Sequence, residues 1–152
     1  MAKKKQKSDS PVLATNRRAK HDYEVIEHIE AGIELVGSEV KSLRDGRVHF
    51  GDAFVSFDGS QAWLVGLHID EYGPANQFNH EPLRKRRLLL HRREIEVLGG
   101  RVTRDGLTVV PMDIHLKGRM IKVGLVLARG KKAHDKRESI KKKIDKREMR
   151  QA

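Results

Sequence analysis

The sequence predicts a mainly β fold with short helices, coiled into a small antiparallel barrel and carrying a basic, flexible arm at each end. Three observations predict it. Apolar and polar residues alternate over several short runs, the signature of half-buried strands. Glycine falls inside those runs, at Gly32, Gly66 and Gly124, which suits strands that bend sharply. Charge is also segregated along the chain. Residues 1–20 hold seven Lys/Arg against one acid and residues 131–152 hold ten against four, whereas residues 21–130 hold fifteen against sixteen. This divides the chain into an arm over 1–15, a folded body over 16–130 and a tail over 131–152. Among small barrels, closed or partly open, the count of about six strands and two or three helices suits the oligonucleotide-binding type. A ferredoxin-like sandwich is the competing architecture, but it needs longer helices than the pattern supplies.

The elements follow in order. Residues 1–15 are Lys-rich and broken by Ser10-Pro11, so they read as a flexible arm. Asn16 is a candidate N-cap for a short helical turn through Arg17, Arg18 and His21. From Tyr23 the period becomes two, giving one short strand and then a second over residues 31–36. Ser38-Glu39 and Asp45-Gly46 mark the start and stop of a two-turn helix. Val40 and Leu43 form its core face, and Lys41 and Arg44 stripe a neighbouring one.

Asp58-Gly59 sits between alternating runs and signals a hairpin over residues 53–69. Residues 70–82 lack periodicity and read as a surface loop. Residues 83–90 suit a strand, followed by a helix over 91–98 with Ile95 and Leu98 facing the core, stopped at Gly99-Gly100. Residues 107–116 form a strand in which Pro111 requires an edge or a bulge. A Lys117-Gly118 turn then leads to a strand with Ile121, Val123, Leu125 and Leu127 on one face. The tail has high helix propensity and almost no apolar face, so alone it should be mostly disordered.

Composition excludes several classes. Without Cys there are no disulfides and no thiolate metal sites. No apolar run approaches the ~20 residues needed to span a bilayer, and Met-Ala-Lys-Lys-Lys-Gln-Lys has no apolar stretch behind it, so the chain reads as cytoplasmic. Its cationic ends suit a polyanion. Nucleic acid is the better candidate than a membrane surface, because the tail offers only Ile140, Ile144 and Met149 as apolar anchors.

Catalytic and metal motifs are missing. None of the eight histidines stand at i,i+4, and His80-Glu81 runs into Pro82, so a helical zinc motif is excluded and no metal or cofactor is expected. No phosphate-binding Gly loop or nucleophile elbow occurs. The acids Glu24, Glu27, Glu30 and Glu34 leave a carboxylate nuclease open, although acids on the wet face of a strand are the commoner case.

With seven aromatics in 152 residues, and only Tyr23 and Tyr72 as candidate stacking platforms, the pattern favours shape and backbone recognition of a folded RNA. Arg84, Lys85, Arg86, Arg87, Arg92 and Arg93 form the densest internal cationic cluster. A charged edge strand is the alternative reading of that cluster.

The run Asn16-Arg17-Arg18-Ala19-Lys20-His21-Asp22-Tyr23, then Glu30-Ala31-Gly32-Ile33, then Gly37-Ser38-Glu39-Val40-Lys41-Ser42-Leu43-Arg44, resembles the tmRNA-binding (SsrA-binding, small protein B) family. So do Arg86-Arg87-Leu88-Leu89-Leu90 and Gly130-Lys131-Lys132-Ala133-His134-Asp135-Lys136-Arg137-Glu138. The resemblance implies a bacterial, cytoplasmic, non-catalytic and monomeric protein. Such a protein binds the tRNA-like domain of tmRNA and delivers it, with elongation factor Tu and GTP, to stalled ribosomes for trans-translation.

It places RNA contacts on Asn16, His21, Tyr23, Glu30, Arg87 and Leu89. Arg17, Arg18, Lys41, Arg44, Arg84, Lys85 and Arg86 join them as the basic residues around those positions. The tail residues Gly130, Lys131, Lys132, His134, Asp135, Lys136 and Arg137 would face the ribosome, entering the mRNA channel of the small subunit and folding there as a helix. Two other classes stay open at this point: a structural ribosomal protein with basic extensions, and a hydrolytic enzyme.

Overall fold

Arg86 is the largest fully buried side chain among the described residues, and its partner Glu39 is equally sealed from solvent. The computed structural model, which describes residues 11–130, builds the fold around this pair. Seven strands form one sheet: β1 (Val12–Thr15), β2 (Tyr23–Ile33), β4 (Phe54–Asp58), β5 (Gln61–Val65), β7 (Arg86–Leu89), β8 (Thr108–Lys117) and β9 (Met120–Gly130). Their spatial order is β1-β8-β9-β2-β7-β5-β4, and every ladder is antiparallel. Two further strands, β3 (Val48–His49) and β6 (His68–Ile69), pair as a separate ribbon. The helices are α1 (Arg17–Asp22), α2 (Gly37–Arg44) and α3 (Arg92–Asp105), with a 3-10 helix over Gly73–Phe78.

The sheet is open, with β1 and β4 at its two ends. It coils enough to bring β4 against β8, yet no ladder joins them, so the closed form of the expected barrel is not formed. The main core lies inside the coil, where Val55, Leu64, Leu88, Val109, Ile114, Val123, Leu125 and Leu127 meet Leu43 of α2 and Ile95 and Leu98 of α3. A second, smaller cluster lies on the opposite face, where α1 lays Ala19 on Val110, Met112, Val126 and Ala128.

Local signals account for several elements. Asn16 caps α1: its Oδ1 accepts from Ala19 N–H at 3.2 Å, and its Nδ2 donates to the Pro111 carbonyl at 2.9 Å. The Asp58-Gly59 hairpin forms with Gly59 at φ +60°, the left-handed region its turn requires. Pro111 sits at the expected bulge, but in a strand paired on both sides, so the edge alternative fails.

Elsewhere tertiary packing wins over the local signal. The first arm ends earlier than expected, because Val12–Thr15 pairs with β8 as a strand. The two short strands expected after Tyr23 are one strand of eleven residues, held by β9 along its length and by β7 at its end. Helix α3 does not stop at Gly99-Gly100 but continues to Asp105 and ends at Gly106, φ +64°. Each glycine weakens a helix by about 1 kcal/mol relative to Ala, but Ile95 and Leu98 are buried and Gly99 lies against Phe57. The loop over residues 70–82 contains the short 3-10 helix. The tail over 131–152 and residues 1–10 of the arm lie outside the described residues.

The buried pair is fully satisfied. Arg86 Nε donates to Glu39 Oε2 at 2.5 Å, one terminal nitrogen to the Leu67 carbonyl at 2.6 Å, and the other to the Pro82 carbonyl at 2.9 Å. Glu39 also accepts from Arg84 and, at 2.9 Å, from the Val36 N–H at the start of α2. Burial pushes the Glu39 carboxyl up, but the hydrogen bonds from Arg84, Val36 and Arg86 outweigh it and hold the group below its ordinary range.

Removing one member of a satisfied buried pair strands the other, which costs about 3–5 kcal/mol. Arg86→Ala should therefore lose about that much stability in urea unfolding, while Lys85→Ala at the exposed position just before the strand should lose less than about 1 kcal/mol. Equal losses for the two variants would show that the pair carries no special weight.

Candidate nucleic-acid interface

β7 alternates, so Arg86 and Leu88 point inward while Arg87 and Leu89 are exposed, as is Lys85 just before the strand. Arg86 was expected among the RNA contacts; it is wholly buried, and its guanidinium is spent on Glu39 and two carbonyls. Asn16 is 6% exposed and works as a cap and a clamp, although it borders a shallow hollow with Arg18 and Tyr23. The other expected contacts in the body reach the surface: Arg17, Arg18, His21, Glu30, Lys41, Arg44, Lys85, Arg87 and Leu89 are exposed, and Tyr23 and Arg84 are half-buried. Gly130 ends β9, and the remaining tail contacts, Lys131, Lys132, His134, Asp135, Lys136 and Arg137, lie outside the described residues.

One outer face of the sheet gathers the centre of the site. Gly32 on β2 stands opposite Leu89 on β7, and a Cβ on Gly32 would lie 3.1 Å from the Leu89 side chain, so Leu89 stands on the Gly32 face. Glu30, two residues back, shares that face. Across β9 the row continues through Gly124, which pairs with Glu30 on one side and Asp113 on the other. A Cβ on Gly124 would fall 2.5 Å from Asp113 Oδ1, so only glycine lets the Asp113 carboxylate lie over β9.

Asp113 in turn holds His115: Nδ1 is 2.8 Å from Asp113 Oδ1, and Nε2 is 2.9 Å from Glu30 Oε2. Lys117 Nζ donates to the other Glu30 oxygen at 3.0 Å. Lys20 of α1 and His28 flank the same hollow. Asp113 and His115 were not singled out as site residues from the sequence, and Lys117 and Gly124 were read only as part of a turn and as a strand bend. The available signal was a polar residue at every second position, 113, 115 and 117, in an otherwise apolar strand.

The network has a definite electrostatic character. Hydrogen bonds from His115 and then Lys117 hold the Glu30 carboxyl below its ordinary value of 4.5. Burial pulls His115 down, but its bonds to Glu30 and Asp113 prevail and raise it above the ordinary 6.5. With His115 protonated, the charges of Asp113, His115, Glu30 and Lys117 alternate in sign.

Around this centre stand cations held in shallow pairs. Arg87 lies 3.6 Å from Glu34, and Arg18 lies 3.4 Å from Asp22 and 3.6 Å from Asp52. Lys41 sits over the Tyr72 ring at 5.5 Å, and Lys85 over Trp63 at 5.6 Å. The Arg84–Arg93 cluster is thus divided between an interior anchor and an exposed cationic row.

Residues 13–152 match the family profile described as SmpB protein. The chain belongs to the SmpB family. It is 48% identical over 147 residues to the SsrA-binding protein of Oleidesulfovibrio alaskensis, covering 97% of this chain and 95% of that relative. It is 49% identical over 142 residues to the SsrA-binding protein of Thermosynechococcus vestitus, covering 93% of each. A solved structure described as "tmRNA-SmpB: a journey to the center of the bacterial ribosome" superposes with a TM-score of 0.68 at 50% identity, over 81% of this chain and 86% of that one. Among the described residues, no helix is long and apolar enough to cross a membrane.

The pairing of Glu30 with His115 fixes a pH window. A histidine with a raised folded value stabilises the fold below its unfolded value, and that contribution is lost as pH rises through the raised one. A lowered carboxyl contributes above its unfolded value and loses this as pH falls through the folded one. The stabilisation from this network is therefore full between the ordinary values, about 4.5 and 6.5, and is lost as pH falls through the lowered Glu30 value or rises through the raised His115 value. An NMR titration of His115 should give a midpoint above 6.5, and Glu30→Gln should lower it. A wild-type midpoint at or below 6.5 would contradict this assignment.

Proposed function

We propose that this protein is a non-catalytic RNA-binding factor of the cytoplasm. Its body grips the tRNA-like domain of tmRNA, and its tail carries the complex onto stalled ribosomes for trans-translation. The supporting observation is the outer face of β7-β2-β9-β8, where an exposed Leu89 and a cation-braced Glu30 lie between the basic row of β7 and the helix α1. The SsrA-binding relatives and the tmRNA–SmpB structure support the same reading.

In this reading the coiled sheet serves as a partly open barrel of the oligonucleotide-binding type, and Leu89 offers an apolar contact for a sugar or base edge. Each Glu30 oxygen keeps lone-pair capacity beyond its one bond, enough to accept from a ribose hydroxyl. Lys41, Arg44, Lys85, Arg87, Arg17 and Arg18 would follow the phosphates. Elongation factor Tu with GTP joins through tmRNA. The basic tail over 131–152 seeks the decoding region and mRNA channel of the small subunit, and the protein acts as a monomer.

Two measurements test this. Titration of a labelled tRNA-like domain should give a Kd for Leu89→Ala weakened about 5- to 150-fold, the range for loss of 1–3 kcal/mol, with the far-UV circular dichroism unchanged. Unchanged affinity would remove this face from the interface. Deleting residues 131–152 should leave that affinity nearly intact yet abolish tagging of nascent chains on stalled ribosomes; a large affinity loss would refute the division of labour.

A further inference from the structure

We propose that His49, His68 and Asp70 form a binding site for a divalent transition metal of the zinc type, with two imidazoles and one carboxylate as ligands. The site lies on the β3–β6 ribbon, apart from the Glu30 face. His49 and His68 are direct cross-strand partners, with ring centroids 5.5 Å apart, and Asp70 follows β6 immediately. One carboxylate oxygen, Asp70 Oδ1, stands 3.3 Å from His49 Nε2 and 3.2 Å from His68 Nδ1. One ligand atom from each residue can be chosen so that all lie within 4.8 Å of one another.

These separations have a specific meaning. Around a tetrahedral zinc with bonds of about 2.0–2.1 Å, neighbouring ligand atoms lie about 3.3 Å apart. Two of the three edges of the cluster already have that length. The donor set, borderline imidazole with one carboxylate, suits zinc, copper or nickel rather than magnesium or calcium. Three protein ligands leave a fourth position for water or an external donor.

The frame is preorganised. Asp70 N–H donates to the Arg47 carbonyl at 3.0 Å, and Ser42 Oγ of α2 donates to the Asp70 carbonyl at 2.7 Å. The ring of the buried His80 is bound at 2.9 Å to the carbonyl of Ile69 and at 2.8 Å to Ser38 Oγ. Arg47 approaches the second Asp70 oxygen at 3.8 Å, which leaves Oδ1 to the imidazoles. His68 Nδ1 is itself buried and has no aligned hydrogen bond among the described residues, the condition of a ligand atom rather than of a solvated histidine. The i,i+4 rule for histidine ligands overlooked this cluster because its members meet through a strand ladder, nineteen residues apart.

The competing account is a protonated imidazole paired with Asp70, and metal titration separates the two. Untagged full-length protein, stripped with chelator, is titrated with zinc chloride at near-neutral pH by calorimetry, beside His49→Ala and Asp70→Asn. His49 is 68% exposed, so its removal leaves the core untouched. Wild type should saturate at one zinc per chain, each variant should bind at least about tenfold more weakly, and zinc should raise the Tm of wild type alone. Equal binding by wild type and both variants, or no saturable binding by wild type, overturns the proposal.

Discussion

The buried contact between Glu39 and Arg86 decides which side of β7 faces the solvent. Two charges without water are expensive, and their mutual attraction offsets that cost only where every remaining donor and acceptor is satisfied. Here the guanidinium reaches the Leu67 and Pro82 carbonyls as well as the carboxylate, and the carboxylate also closes the first turn of α2 through the Val36 N–H. One cluster therefore ties together the start of a helix, the segment between β5 and β6, the end of the loop over 70–82 and β7 itself. A slip of β7 by one residue would bury Arg87 and expose Leu88. Because Arg86 has a unique set of partners, that slip is forbidden, and Lys85, Arg87 and Leu89 face solvent as a consequence.

The same logic of paired charge runs through the outer face. A carboxylate on the face proposed to meet RNA would repel phosphates if it stood alone. Glu30 does not stand alone: His115 and Lys117 each bond one of its oxygens, and Asp113 steadies His115 from the far side. The arrangement converts a repulsive charge into a fixed acceptor with cations beside it. Gly124 makes this possible, since any side chain there would collide with Asp113. The glycine expected to serve strand curvature thus serves a polar network.

Short-range chemistry was legible in the sequence; long-range chemistry was not. The Asn16 cap, the Asp58-Gly59 hairpin, the two-turn helix after Val36 and the Pro111 bulge follow from residues a few positions apart, and the fold contains them all. Helix α3 passed through two glycines because Ile95, Leu98 and Phe57 lie in a shared core that no local window contains. Arg86 looked like part of a cationic run because composition counts charges and not the face on which they fall. The period of two in the run from Arg84 to Leu89 carried the correction, since Leu88 is apolar and Arg86 shares its face. His115 and Lys117 of β8 meet Glu30 of β2 across the intervening β9, and nothing in one strand reveals its neighbours.

The charge distribution adds a constraint on how the body must work. Residues 21–130 are nearly neutral, so bulk attraction to a polyanion is weak there, and binding has to come from placement. Several surface arginines already hold carboxylates: Arg87 with Glu34, Arg18 with Asp22 and Asp52, Arg101 with Glu27 and Asp105, Arg92 with Glu96. Exposed pairs of this kind are worth about 0–1 kcal/mol, so exchanging a carboxylate for a phosphate costs little. Until that exchange each arginine is kept near its working position, and its local field is partly cancelled. A duplex that presents phosphates at the wrong spacing gains too little to break several pairs at once, whereas a fold of matching shape breaks them together. Under the proposed function, selectivity for RNA shape would then follow from the near-neutrality of the body.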